Sequence, residues 1–325
     1  MPAKHLVLVH GRSTKPRRAE KERYVRTALL HGLKRVSPIA AGLIESGEVK
    51  TTCVYYGDIC NELLCDADPR LRQKLTHNPV DGIFYEADGC YDKQMAEFLK
   101  RPTSAHTKEE YRKLVRTHKD QRFMDDLVRV ISPILANGLS RKIMLKWLPD
   151  LGAYVTSHKV GSKIRQRLQG PLLNALTDAD DVAIVSHSMG CIATYDVLWK
   201  FSHMSEYEVI HNRRVTLWIT LGSPLGEPAV RESLYDAHEP EDGIYPRNVV
   251  RWLNIAAYDD FIAHDATAED DFKEMKELGC RIVDLPRIHT FWVGATGSNP
   301  HKFYGYLDHP VVAEQIAAWT LSSGA

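Results

Sequence analysis

Ser188 is the side chain in this sequence best placed to act as a nucleophile. It lies in the run DVAIVSHSMG at 181–190, where a buried-strand pattern over 182–185 gives way to helical spacing over 191–199. The serine therefore falls on a strand-to-helix turn. Such a turn crowds its own backbone, so the positions two before and two after the serine must be small, and they are Ser186 and Gly190. The same turn aims the amide of Met189 toward the side of the Ser188 hydroxyl, at the start of a helix whose dipole favours a developing oxyanion. The chemistry this arrangement suits is attack on an acyl carbon once a base has taken the hydroxyl proton. A serine at a helix start also reads as an ordinary N-cap, so the partners decide between the two.

The form His187-Ser188-Met189-Gly190 resembles the α/β-hydrolase superfamily, and within it the lipases and serine esterases; the full pattern is S-x-S-x-G rather than G-x-S-x-G. The resemblance continues at 4–11, KHLVLVHG, where a hydrophobic run ends in His-Gly at the place that superfamily keeps its second oxyanion donor. By that resemblance the donor is the amide of Arg12, beside that of Met189, while His10 is structural; Gly11 read alone simply turns the chain out of a strand. The superfamily's chain order is nucleophile, acid, base, which sends the search downstream. The stretch 247–263 is similar to a lipase-like W-x-N-x-x-x-x-x-D-x-[IV]-A pattern through Trp252, Asn254, Asp260, Ile262 and Ala263. Asp260 is then the acid, with Asp259 its neighbouring competitor and Asp265 a more distant one. His301, on a polar loop before the terminal helix, is the base implied; His309, between Asp308 and Pro310, suits a helix start.

These roles describe a serine hydrolase cleaving a carboxylic ester, lipid-like by the resemblance, through a Ser188–His301–Asp260 triad and an acyl-enzyme, with no metal or organic cofactor. Thioester hydrolysis and acyl transfer use the same groups. A binding or signalling protein on the same fold, without turnover, is the alternative from another class.

The resemblance implies that an α/β-hydrolase fold positions these residues: a mostly parallel central sheet flanked by helices, as one domain over 1–325. The spacing predicts a helix over 19–43, strands over 49–57, 215–221 and 249–257, a helix over 160–176, and a terminal helix carrying Val311, Ile316 and Trp319. Gly222, Ser223 and Pro224 end the strand after the elbow. Between 58 and 148 the alternation stops and helical spacing dominates, broken near Pro69, Pro79, Pro102 and Pro133. That stretch reads as an inserted helical cap, with Phe123, Leu127 and Ile131 at helical spacing as candidates to face a pocket, or else as long crossover helices.

Composition agrees with an enzyme of this kind. The chain has 325 residues, 44% of them hydrophobic, and a formal charge of zero, which lacks the basic excess expected of a nucleic-acid binder. No leader pattern and no run of membrane-spanning length stands out, so a cytoplasmic location is expected. The six cysteines are irregularly spaced without a C-x-x-C pair, which suits free thiols, although Cys60 and Cys65 are near each other in sequence. Charge is nonetheless clustered: Arg12, Lys15, Arg17, Arg18, Lys21 and Arg23 follow the Gly11 turn, Lys159, Lys163, Arg165 and Arg167 form a second run, and Glu269, Asp270, Asp271, Glu274 and Glu277 form an acidic one. Such runs are usually solvated faces; the functional reading places an anionic headgroup near Arg12, Arg17 and Arg18.

Overall fold

The computed structural model describes residues 3–117, 148–263, 265–295 and 297–323. Its centre is a six-stranded sheet of β1 (Lys4–Val9), β2 (Val49–Val54), β3 (Asp181–His187), β4 (Val215–Leu221), β5 (Arg251–Ile255) and β6 (Arg281–Asp284), in the order β2-β1-β3-β4-β5-β6. Every neighbouring pair is parallel. Strands β1 and β3 are buried along their whole length, which is why they read as continuous apolar runs rather than alternating ones.

Helices cover both faces, as parallel connections demand. One core layer packs Tyr24, Leu29 and Leu33 of helix α1 (Arg18–Val36) with Leu307 and Ile316 near the C-terminus. The opposite layer packs Ile164, Leu168 and Leu172 with Ile192, Tyr195 and Trp218. The predicted helix over 19–43 is in fact two: α1 stops at Ser37, and α2 (Pro38–Ser46) starts there, because Pro38 cannot continue the helix and the Ser37 hydroxyl caps the new one through Ala40 N–H. The strand expected over 49–57 ends at Val54, since Gly57 opens helix α3 (Gly57–Ala67).

Between 58 and 117 no strand joins the central sheet. The segment contributes α3, helices α4 (Asp92–Phe98) and α5 (Lys108–Thr117), and a two-stranded ribbon pairing Thr76–His77 with Phe84–Tyr85. Met95, Phe98 and Tyr111 from this segment are buried against the core layer that holds α1. Phe123, Leu127 and Ile131 lie outside the described residues. Beyond them come α6 (Pro149–Thr156), α7 (His158–Asp178) and α8 (Met189–His203). The terminal region holds α9 (Phe303–Asp308), where the sequence predicts a loop, and α10 (Pro310–Leu321).

The strand order reverses direction between β1 and β3, and open parallel sheets bind ligands beyond the carboxyl ends of the strands at such a switch point. Gly11 leaves β1 and Ser188 leaves β3 at that place. No helix among the described residues is long and apolar enough to cross a membrane.

Candidate active site

Ser188 holds φ 56° and ψ −130°, a left-handed conformation that L residues rarely adopt. It caps no amide with its side chain, so the N-cap reading does not account for it. The small flanking residues are required by contact. A methyl added at Gly190 would stand 2.5 Å from the His10 carbonyl oxygen, and one at Gly11 would stand 2.6 Å from Ser188 Cβ. Ser186, where glycine is more usual, is buried without a lost hydrogen bond: Trp218 Nε1–H donates to its hydroxyl at 2.8 Å, and that hydroxyl donates to Cys191 Sγ at 3.4 Å. The elbow tolerates the extra Oγ because the neighbouring strand supplies a partner.

His301 Nε2 lies 2.9 Å from Ser188 Oγ, and His301 Nδ1 lies 2.9 Å from both carboxylate oxygens of Asp260. An ionised carboxylate can only accept, so Nδ1 carries the proton and Nε2 is left as the acceptor for the serine hydroxyl. Burial alone would raise Asp260, but the charge that His301 carries once protonated and the hydrogen bonds from His301, Tyr306 and the Ile262 amide outweigh it and hold the carboxyl below the usual carboxylate range. The arrangement can pass a proton from Oγ to Nε2 and stabilise the resulting imidazolium.

The competing carboxylates stand elsewhere. Asp259 is exposed, in a left-handed turn at φ 60°, and accepts from the Tyr111 hydroxyl at 3.0 Å. Asp265 accepts from the backbone and hydroxyl of Thr267 at 3.2 and 2.9 Å. His309 caps α10 by accepting from Val311 N–H, with its ring pushed down to about 3 by burial and by His106. His10 is fully buried and stacks on Tyr56. Its Nε2 accepts from the Tyr56 amide at 3.3 Å, which leaves Nδ1–H to donate to the Gly11 carbonyl at 2.8 Å. It is a structural clasp on the turn after β1.

The acid-bearing loop hangs from a polar ladder beneath it. Trp252 Nε1–H donates to Thr220 Oγ1, Thr220 donates to Asn254 Oδ1, and Asn254 Nδ2 donates to the Ala266 carbonyl and to Asp284. Trp252 and Asn254 of the motif thus fix where the loop begins and ends. On the other side, His187 Nε2–H donates to the His301 carbonyl at 2.6 Å while its ring stacks on Phe303. Burial and the His301 charge keep His187 far below the ordinary histidine range, hence neutral.

Two positions near the triad carry roles that the sequence reading did not assign. The Tyr306 hydroxyl accepts from the Ala257 amide at 2.9 Å and donates to Asp260 Oδ2. Gly222 sits at φ 55°, and a Cβ there would stand 2.7 Å from Asp260 Oδ2 and 3.0 Å from His301 Nδ1. Tyr306 was legible only as a loop residue near the base; no local pattern couples it to an acid more than forty residues upstream. Tyr306→Phe should lower kcat about tenfold, since a hydrogen bond to a charged group contributes about 1.5–3 kcal/mol, part of which is recovered by the His301 contact. Removing a donor leaves more negative charge on the Asp260 carboxylate, which favours the protonated His301 ring, so the acidic limb of the kcat/KM profile, where that ring must be neutral, should move to higher pH. A profile of unchanged shape with only a lower melting temperature would assign Tyr306 to folding alone.

Among the described residues, the amide N–H groups of Met189 and Arg12 donate to no backbone or side-chain acceptor. The Arg12 guanidinium is held by Asp150 at 2.8 Å, and Asp150 also accepts from the Ser13 amide at 2.7 Å. A cavity of about 370 Å³ adjoins the triad, walled by Gly11, His187 and His301 together with Arg12, Lys15, Lys21, Tyr91, Trp292 and Lys302. Arg17 and Arg18 do not line it. They are half-exposed, paired loosely with Asp88 and Glu22, so of the arginines expected beside an anion only Arg12 is at the site, and its charge is already engaged. The second basic run is not wholly a solvated face either: Arg165 is buried against Asp196 at 3.4 Å. All six cysteines are free, and among the described residues no cluster of metal-ligating side chains occurs.

The chain matches no protein-family model and no curated protein. What the structure establishes is an α/β architecture with a parallel central sheet flanked by helices, carrying a hydroxyl–imidazole–carboxylate chain at its switch point.

Proposed function

We propose that this protein is a serine hydrolase of the α/β-hydrolase type that cleaves a carboxylic ester. The observation that carries the reading is the unbroken chain Ser188 Oγ–His301 Nε2 and His301 Nδ1–Asp260, each step 2.9 Å, with the serine in a left-handed turn at the carboxyl end of β3. In the mechanism, neutral His301 takes the Ser188 proton as Oγ attacks the acyl carbon. Asp260 fixes the imidazole tautomer and stabilises the imidazolium. The unengaged amides of Met189 and Arg12 are the donors for the tetrahedral oxyanion. The imidazolium then protonates the departing alcohol, and water, deprotonated by the same ring, releases the acid from the acyl-enzyme. Thioesters and transfer to another acceptor would run on the same groups.

Of the stretch 58–148, the described part, residues 58–117, is proposed as a cap over this site; 118–147 lie outside the described residues. Tyr91, which walls the cavity, comes from it. The cavity volume lies near the lower end of ligand pockets, which favours a short ester over a long acyl chain. The test is a fluorophosphonate probe followed by mapping of the modified residue. Labelling confined to Ser188 supports the reading; an unlabelled, folded protein refutes it.

A further inference from the structure

We propose that the ester cleaved at this site carries a second, anionic group, a carboxylate or a phosphate, which docks on Lys15, Lys21 and Lys302 in the cavity beside His301. The inference rests on the hydrolase reading for its substrate and on the cavity for its charge. All three lysines line the same cavity as His301 and Gly11. Lys21 is 3% exposed and Lys15 8% exposed, in a fold where buried lysines are normally matched by a carboxylate.

Here they are not. Lys21 Nζ donates to the Tyr304 hydroxyl at 3.1 Å and lies over the rings of Phe303 and Tyr304. Lys302 Nζ lies 3.9 Å from the centre of the Tyr91 ring, with Tyr304 and Trp292 beside it. Lys15 Nζ donates only to backbone carbonyls of its own loop, those of Arg12, Ser13 and Thr14. The two carboxylates in the neighbourhood are engaged by other groups: Asp150 by Arg12 and Ser13, Glu86 by the Thr14 hydroxyl. Among the described residues neither forms an ion pair with any of the three ammonium groups.

Three like charges with aromatic rings for walls repel one another and are poorly solvated. Burial is the largest cause in each, and although the Glu86 carboxylate opposes it from beyond ion-pair distance, it brings Lys302 down to about 8, Lys21 well below the ordinary lysine range, and Lys15 below it as well. A bound anion would supply a counter-charge in direct contact, restore the ammonium forms, and gain charge-assisted hydrogen bonds in a partly desolvated site. Because the lysines share a cavity with His301 and Gly11, an anion held by them would also orient the acyl carbon toward Ser188.

The experiment compares matched 4-nitrophenyl esters on the full chain: the hemiglutarate and the 3-phosphonopropanoate, each against its neutral methyl-ester isostere. The wild-type protein should favour the anionic member of at least one pair by about tenfold or more in kcat/KM, and whichever pair shows the larger ratio identifies carboxylate or phosphate as the source. Lys302→Met and Lys21→Met should each cut that ratio about tenfold, and Lys302→Arg should retain more of it than Lys302→Met. No anionic preference in the wild type, or equal loss on both members of a pair in the variants, would overturn the inference. A separate measurement removes turnover: calorimetry of Ser188→Ala with monomethyl glutarate, methyl phosphate and dimethyl glutarate should show binding of an anion, weakened by Lys302→Met, and little of the diester. Fluorophosphonate labelling without anion binding defeats this inference and leaves the hydrolase reading standing. Anion binding in a protein that does not label keeps the lysine cavity as an anion site but removes the ester, and with it the hydrolase reading.

Discussion

Ser188→Ala should abolish fluorophosphonate labelling and lower kcat on a short aryl ester by about 10⁴- to 10⁶-fold, the range found when the nucleophile of a triad is removed. The fold should persist. Ser188 is held by its backbone: its amide donates to the Leu221 carbonyl at 3.1 Å and its carbonyl accepts from Cys191 N–H at 2.8 Å. Among the described residues the hydroxyl lost in the variant meets only His301 Nε2, and it caps nothing. The left-handed backbone is strained for alanine as it is for serine, so that cost is the same in both proteins. A melting temperature within a few degrees of the parent is therefore expected, and the comparison reads chemistry alone. A folded variant that still turns over the ester at the parent rate would remove Ser188 from the mechanism, and with it the reading of the β3–α8 turn as a nucleophile elbow.

The parts of this protein legible in its sequence are those whose physics is local. A continuous apolar run bounded by a tight turn marks β3, and the small residues around Ser188 reflect contacts made within the turn and with the neighbouring strand. The 215–221 strand is found with those bounds because its apolar run ends at Gly222, which occupies a left-handed conformation. Where a reading failed, the cause was a signal present but underweighted, or one that exists only in three dimensions. Pro38 was visible and should have divided the helix predicted over 19–43. The sixth strand, Arg281–Asp284, escaped because it is a four-residue edge strand with only Ile282 buried, too short for either periodicity to register.

The lysines show the other kind of failure. In sequence Lys15 and Lys21 belong to a basic run indistinguishable from a solvated face, and Lys302 is an isolated residue beside the candidate base. Only the fold turns these three into the cavity, while sending Arg17 and Arg18 outward. Tyr306 is similar: its bond to Asp260 depends on α9 crossing beneath the acid loop, which no spacing rule anticipates.

The adjacent carboxylates Asp259 and Asp260 offer the sharpest test of the register. Asp260→Asn should lower kcat by about 10⁴-fold, because an amide can donate to Nδ1 and so stabilise the imidazole tautomer that presents a proton, rather than a lone pair, to Ser188. Asp259→Asn should cost less than about threefold, since its carboxylate is exposed and among the described residues meets only the Tyr111 hydroxyl, a contact an amide oxygen can keep. His301→Ala should approach the Ser188→Ala defect, for without the ring no other group among the described residues lies within hydrogen-bond reach of Oγ to take its proton. The three variants are compared by kcat on one ester at one pH, with circular dichroism to establish that each is folded. The asparagine at 260 keeps the volume of the buried carboxylate, and the Ile262 amide still finds an oxygen to donate to, so a large loss of structure is not expected there. If Asp259→Asn were the crippled protein and Asp260→Asn the mild one, the buried hydrogen bonds from His301, Tyr306 and Ile262 would be scaffolding for the loop, and the acid would have to be sought on the exposed side of the same turn.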